Sequence, residues 1–263
     1  MSHSHAIAFS TALPPVLRAW PEPGIVNGFL GRLGGQSTGA YDSLNLSYFV
    51  GDDSEAVAGN WQRLRGALPQ NLVFSRLNQV HGNAVQVVSR GNAETRPRAD
   101  GMVTRERGII LGIFSADCVP VLMIGARAQV AGALHAGWRG VLSGIASNGV
   151  TRMEELGAPS GAIRVALGPS IGPCCFEVDA ELAARFVREI PGSARHARDG
   201  KPGKAFLDLR GMVSDQLVAA GVPADAIDNL GPCTRCANDR YFSRRAAAGT
   251  TTGLQMSFVG FTP

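Results

Sequence analysis

Two histidines and one cysteine stand where side chains can be aimed at a ligand. His81 follows Gln79-Val80 and precedes Gly82, just ahead of an apolar run that begins at Ala84. His135 opens the segment His135-Ala136-Gly137-Trp138-Arg139-Gly140, between a strand-like run and a helix-like one. Cys118 lies in Ser115-Ala116-Asp117-Cys118-Val119-Pro120, a break between two apolar runs. Ends of regular elements are where a rigid scaffold presents functional groups. Two imidazoles and a thiolate make a three-ligand set for zinc, with a fourth position left for water or substrate. Zinc lowers the pKa of such a water to about 7, and the thiolate disfavours magnesium and calcium. The separations, 37 residues from His81 to Cys118 and 17 from Cys118 to His135, match no short metal-binding pattern. Residue type, not spacing, suggests the metal. Two other uses of Cys118 stay open at this point. It could be a nucleophile deprotonated by a distant histidine, or a small residue packed between strands. A zinc-bound thiolate cannot also be a free nucleophile, so the first two uses exclude each other.

Other residues suggest anion or substrate contacts. Arg139, Arg244 and Arg245 have guanidinium forks suited to phosphate, and Arg139 directly follows the His135 loop. Ser43 and Asn45, in Ser43-Leu44-Asn45, offer a hydroxyl and an amide to a phosphate or a ribose. Gly168-Pro169-Ser170-Ile171-Gly172-Pro173 is rich in turn formers and could shape a tight wall beside a ligand. The vicinal pair Cys174-Cys175 reads as packing. Cys233-Thr234-Arg235-Cys236 is a CxxC by spacing, yet no second CxxC completes a four-cysteine site, so it reads as structural.

These residues need a scaffold, and the sequence outlines one. Runs rich in Val, Ile, Leu and Phe predict strands at Ala84–Val88, Ile109–Phe114, Val119–Ile124, Val130–Leu134, Ile163–Leu167 and Leu254–Val259. Asp53 is a candidate N-cap for a helix with Val57, Trp61, Leu64 and Leu68 on one face. Further helices are expected over Arg139–Leu156, although Gly149 falls on the stripe, and over Asp179–Ile190 and Asp208–Ala220. Gly200-Lys201-Pro202-Gly203-Lys204 is the most loop-like segment and is expected to be a mobile excursion. Consecutive strands recur without helices between them. That predicts an α+β domain of mixed β-sheets flanked by helices, not a doubly wound parallel fold.

The bulk numbers bound the function classes. A chain of 263 residues, 45 % hydrophobic, suffices for one domain with a large core. The net charge of +4 is spread out, no basic run exceeds Arg244-Arg245, and Lys201 and Lys204 are the only lysines, so no nucleic-acid stripe is expected. The apolar stretch Ile109–Ile124 is interrupted by Asp117 and Pro120, and no membrane span follows. The opening MSHSHAIAFS lacks the order of a secretory leader and reads as a short flexible tail. Five cysteines, two of them adjacent, argue against a disulfide scaffold. A cytoplasmic, monomeric protein with reduced thiols is the expectation.

Taken in order, the segments Gly34-Gly35 through Ser43-Leu44-Asn45, Gln79-Val80-His81-Gly82, Ala116-Asp117-Cys118-Val119-Pro120, His135 to Gly140, Gly168 to Gly172 and Tyr241-Phe242-Ser243-Arg244-Arg245 resemble the bacterial YfiH-like family. That family has long been called multicopper polyphenol oxidoreductase or laccase-domain proteins. The resemblance runs from about Asn27 to Phe258. It implies an α/β sandwich fold over a single domain, residues 1–263, and zinc held by His81, Cys118 and His135. The activities it implies are phosphorolysis of adenosine, inosine, guanosine and methylthioadenosine, and deamination of adenosine, with nucleoside and phosphate as partners. Three departures stand out. Asn27-Gly28-Phe29 replaces a His-Gly-Phe, Trp61 replaces an arginine after Asn60, and Leu254 replaces an arginine after Gly253. The two lost arginines weaken the expectation of a phosphate site more than that of a metal site, and Arg63 is on a different helix face from position 61. Copper-dependent phenol oxidation is the reading the older name suggests, but His196 is the only histidine besides His81 and His135 outside the tail, too few for several copper sites. A metal-free cysteine hydrolase or deamidase using Cys118 and a non-catalytic binding protein complete the alternatives.

Overall fold

Strands buried on both faces read in sequence as unbroken apolar runs, and the longest runs here become the centre of two stacked sheets. The computed structural model describes residues 16–263. The expected N-terminal tail, with His3 and His5, lies outside the described residues. In chain order the first elements are β1 (Ile25–Phe29), α1 (Ser54–Gly66), β2 (Val73–Arg76), β3 (Val85–Val87), β4 (Gly101–Thr104) and β5 (Ile109–Ser115). Then come β6 (Val119–Gly125), β7 (Val130–Ala136), α2 (Trp138–Leu142), α3 (Ile145–Glu155) and β8 (Arg164–Leu167). The last are β9 (Glu177–Asp179), α4 (Ala180–Glu189), β10 (Ala197–Asp199), β11 (Lys204–Leu207), α5 (Leu209–Ala219), β12 (Ile227–Asn229) and β13 (Gln255–Phe261).

One sheet has the order β1-β13-β5-β2 and the other β12-β8-β6-β7-β4-β3; a small third sheet runs β10-β11-β9. Both large sheets are mixed, with β2 parallel to β5, and β3 and β12 parallel to their neighbours at the edges of the second. Alternation assigns each side chain its layer. On β5, Ile109, Leu111 and Ile113 face Leu122 and Ile124 of β6 and Ala131 and Ala133 of β7 between the sheets. Ile110 and Phe114 point the other way, onto Val57, Trp61 and Leu64 of α1. Val121 and Met123 of β6 turn outward to Ile145, Val150 and Met153 of α3. Each such side chain contributes roughly 1.5–3 kcal/mol on burial. The result is the expected α+β sandwich, with helices on both outer faces.

The structure refines several expectations. Asp53 caps α1 as predicted, its Oδ1 accepting from the Ala56 N–H at 2.8 Å. The helix expected over Arg139–Leu156 is two helices, because Gly144 adopts φ +80° and breaks the run between α2 and α3. Gly149 does sit inside α3, where a Cβ would lie 2.6 Å from Leu134 Cδ1. Its absence lets α3 press onto β7, which offsets the roughly 1 kcal/mol propensity loss of a helical glycine. The segment expected to be a mobile excursion is the tight turn of the β10–β11 hairpin, closed by the Gly200 N–H bond to the Lys204 carbonyl at 3.1 Å. Among the described residues, no helix is long and apolar enough to cross a membrane.

Candidate active site

The antiparallel β6–β7 pairing sets Pro120 opposite His135, so the short β5–β6 connection delivers Cys118 to the end of the strand that carries His135. The connection is held in an uncommon shape. Asp117 has φ +98°, and its carboxylate accepts from Thr234 Oγ1 at 2.6 Å and from the Arg245 N–H at 2.7 Å. His81 also has positive φ, +62°. Such backbone costs about 1–3 kcal/mol per residue and persists only where neighbours hold it. The holder is Asp100, fully buried at the start of β4. Its carboxylate accepts from the N–H groups of Val80, His81 and Gly82 at 3.1, 2.9 and 2.7 Å, and lies 2.9 Å from His135 Nδ1. One carboxylate thus orients both histidines. Gln79 pins the same loop by a two-way bond to the Phe114 backbone, 2.8 Å in each direction.

The three expected ligands do meet. One ligand atom from each of His81, Cys118 and His135 lies within 4.8 Å of the others, with the imidazole rings edge-to-face at 4.9 Å. Burial alone would push the Cys118 thiol up, but the imidazoles of His135 and His81 bring it down to about 6. Burial would lower His135, whereas the Cys118 thiolate and the Asp100 carboxylate raise it to about 9. Asp100 itself is held below the usual carboxylate range: burial opposes ionisation, and the His135 and Gly82 hydrogen bonds outweigh it. Two imidazole nitrogens and a thiolate, one histidine fixed through its far nitrogen by a carboxylate, form the donor set and support that a zinc ion needs. The residues fit the metal.

The cluster opens into a cavity of about 1030 Å³. Phe114, Trp138, Ile171, Phe176 and Leu254 supply apolar walls, and Arg96, Arg244 and Arg245 add three guanidinium groups. Arg245 is anchored, Nη1 donating to the carbonyls of Cys175 and Glu177 at 3.1 and 2.9 Å. Of the four residues expected to touch substrate, Arg245 alone lines this cavity. Arg139 is exposed on α2, its guanidinium 4.1 Å from the centre of the Trp138 ring. Ser43 Oγ accepts from the Gly35 N–H and donates to the Arg32 carbonyl. Asn45 is fully buried, donating to Ser47 and Asp52 and accepting from the Ser47 and Leu254 N–H groups. Both brace the loop behind the wall, with their polar atoms already spent. The departures have physical readings too. Trp61 faces the core and donates to the Leu46 carbonyl at 2.9 Å, while Leu254 takes a place on the cavity wall. Asn27 bonds the Trp20 backbone in both directions.

Sequence reading missed Asp100, Gln79 and Arg96. Arg96 stacks on Phe49 at 4.2 Å, and its buried Nε has no hydrogen-bond partner, as is true of Ser115 Oγ on the same cavity wall. His196 is not part of the cluster and is paired with Asp215.

Comparison with known proteins agrees with this architecture. Residues 26–262 match the family described as multi-copper polyphenol oxidoreductase laccase. The purine nucleoside phosphorylase YlmD of Geobacillus stearothermophilus is 39 % identical over 252 residues, covering 91 % of each chain. The crystal structure of YlmD from that organism superposes with a TM-score of 0.88, covering 97 % of this chain and 99 % of that one at 34 % identity. The adenosine deaminase RL5, from an unknown prokaryotic organism, is 36 % identical over 218 residues, which is 78 % of this chain and 82 % of RL5. The extent of these matches places the chain in the multi-copper polyphenol oxidoreductase laccase family, the YfiH family.

Proposed function

We propose that the chain is a zinc-dependent purine nucleoside phosphorylase acting on adenosine, inosine, guanosine and methylthioadenosine, and that the same site deaminates adenosine. The observation that carries this reading is the His81–Cys118–His135 cluster set in a cavity with both apolar walls and arginines. The names of YlmD and RL5 support the two activities. Phe114, Trp138 and Phe176 offer flat faces to a purine. Arg96, Arg244 and Arg245 offer phosphate a positive field in the cavity whose wall carries Leu254. Held by the two histidines and Cys118, zinc would supply Lewis acidity and a water of lowered pKa. Asp100, bonded to His135 Nδ1, would leave Nε2 as the nitrogen that binds the metal, and the Gln79 and Asp100 bonds keep the His81 loop in place.

Product analysis tests the reading. Zinc-loaded protein is incubated with adenosine, with and without inorganic phosphate. Adenine and ribose 1-phosphate are expected only with phosphate, and inosine in either case. Folded, zinc-loaded protein that yields neither product would overturn the proposal.

A second reading has one observation in its favour. Asp100, His135 and Cys118 are in the order of a carboxylate–imidazole–thiol relay, with the thiol lowered to about 6. That arrangement would suit a metal-independent cysteine hydrolase or deamidase. Amide hydrolysis that survives complete removal of metal would favour it.

A further inference from the structure

Four cysteines that sequence spacing leaves as two separate pairs converge in space. Cys174 and Cys175 leave β8 by the Gly168–Pro173 turn, and Cys233 and Cys236 lie in the loop after β12. A bridge pairs Ser170 with Cys233, and the Thr234 N–H bonds the Ser170 carbonyl at 3.0 Å, which clamps the two loops side by side. The four sulfur atoms then lie within 4.8 Å of one another. Cys236 Sγ is 3.7 Å from Cys174 Sγ and 3.4 Å from Cys175 Sγ. A tetrahedron of thiolates around zinc, with Zn–S of about 2.3 Å, has edges of about 3.8 Å. We infer that Cys174, Cys175, Cys233 and Cys236 form a second, structural zinc site, separate from the His81–Cys118–His135 cluster.

Donors gather on Cys233 and favour its thiolate, while burial and the neighbouring sulfurs push the Cys174 thiol up to about 12 and the Cys175 sulfur raises Cys236, so the four become thiolates together only around a cation. The Gly172 N–H points at Cys233 Sγ at 3.2 Å, and the backbone N–H groups of Cys236 and Arg235 also donate to it. Arg235 Nη1 lies 3.6 Å from Cys175 Sγ. Arg210, bonded to Ser170 and Gly231 where the two loops begin, is within electrostatic reach of Cys233. Four thiols lose their protons to solvent as zinc binds, leaving a net charge of about −2 on the ion and its ligands. Arg210 and Arg235 face that charge with two positive ones. Gly172 leaves the space open, since a Cβ there would lie 3.4 Å from Cys174 Sγ and 3.3 Å from Cys233 Cβ. A site closed by four protein ligands has no open position for substrate, so its role is to fasten. Thr234, between two of the cysteines, donates to Asp117 beside Cys118, and the Cys175 carbonyl holds Arg245. The second ion would therefore lock the outer wall of the cavity onto the loop that carries Cys118.

Metal analysis of the reduced, purified full chain tests this independently of activity. Wild-type protein is expected to carry two equivalents of zinc. His81→Ala and His135→Ala should each keep one, and the Cys233→Ser/Cys236→Ser double variant should lose the other. Cobalt(II) loaded into Cys118→Ala, whose first site has no sulfur left, is expected to show strong sulfur-to-cobalt charge-transfer absorption and the visible bands of a tetrahedral sulfur site. This spectrum decides the matter even where the double variant does not fold. The inference is overturned by folded Cys118→Ala protein that binds no cobalt through sulfur, by a double variant that keeps as much zinc as wild type, or by a mass deficit in protein purified without reductant, reversed by reductant, showing that the four cysteines are disulfide-bonded. Loss of the first zinc alone would count against the proposed activity and leave the second site standing.

Discussion

Asp100 concentrates the residue-scale logic of the site. It accepts three backbone N–H bonds from residues 80–82 and holds His135 Nδ1, all from a position fully buried in the sandwich. An amide at that position keeps the shape but loses the charge and turns N–H donors toward N–H donors. Asp100→Asn is therefore expected to weaken zinc binding by about 10–100-fold, the range seen when a carboxylate behind a ligating histidine is lost. Titration against a competing chelator measures this, and unchanged affinity would show that His135 needs no such partner. Cys118 and His135 make a second, pH-dependent prediction for the metal-free protein. The folded thiol sits at about 6, below its ordinary value of 9.0, so the stability it contributes is present at high pH and is lost as pH falls through about 6. His135 is raised from 6.5 to about 9, so its contribution is full below 6.5 and is lost as pH rises through about 9. Between those limits the two form a thiolate–imidazolium pair. The ultraviolet thiolate absorbance of metal-free wild type, minus that of Cys118→Ala, is expected to persist down to about pH 6. Its disappearance near pH 9 would mean the pair does not exist. The histidines and Cys118 were legible in the sequence through their types, the glycines beside the two histidines and, above all, the resemblance of their segments to the family. Asp100 was not, because Ala99-Asp100-Gly101 carries no periodic or motif signal, and its importance arises only when β4 is laid beside β7.

Between residue and molecule, the glycines of the His135–Gly140 segment show why this stretch is so specific. A Cβ on Gly137 would lie 3.0 Å from His81 Cδ2, 3.2 Å from Cys118 Sγ and 3.7 Å from His135 Cε1, in contact with all three expected ligands. A Cβ on Gly140 would lie 2.8 Å from the Gly82 carbonyl, so α2 can lie against the His81 loop only without a side chain there. Both absences are packing facts between elements distant in sequence. Gly137→Ala is expected to leave the fold intact and lower zinc affinity at least tenfold, since such a site tolerates displacements of only about 0.5 Å. The thermal midpoint of the metal-free protein controls for general damage; a large fall there with no change in zinc affinity would refute the assignment. Element prediction succeeded where burial on both faces wrote long apolar runs, as in β5, β6 and β7. It missed the short strands β1, β2, β4 and β12, and also β9, β10 and β11, which are three or four residues long and owe their existence to pairing with each other. It also ran α2 and α3 together, because a single left-handed glycine leaves the apolar spacing on either side undisturbed.

For the whole molecule, the cavity belongs to no single segment. Its walls come from the loop before β3, the β5–β6 connection, the end of β7, the turn after β8 and the loop between β12 and β13. Three apolar clusters lie beneath them, one between the sheets and one under each helical layer, and none includes a candidate metal ligand of the first site. The sandwich should therefore fold without metal, and the metal should add stability by binding only the folded form. At a free zinc concentration one hundred times the dissociation constant that addition is about 2.7 kcal/mol per site. For a chain of this size it corresponds to a fall in thermal midpoint of roughly 5–10 °C for each site emptied. Chelated protein is expected to keep its far-ultraviolet circular dichroism and a cooperative transition, shifted down by that amount and restored by added zinc. His81→Ala should show a smaller shift on chelation than wild type, since one of its two sites is already lost. If chelation instead erased the sheet signal, the ion and not the apolar core would be holding the sandwich together. The stacking of Ile109, Leu111 and Ile113 on Leu122 and Ile124 argues against that outcome, because these side chains are fully buried whichever ligands the loops above them hold.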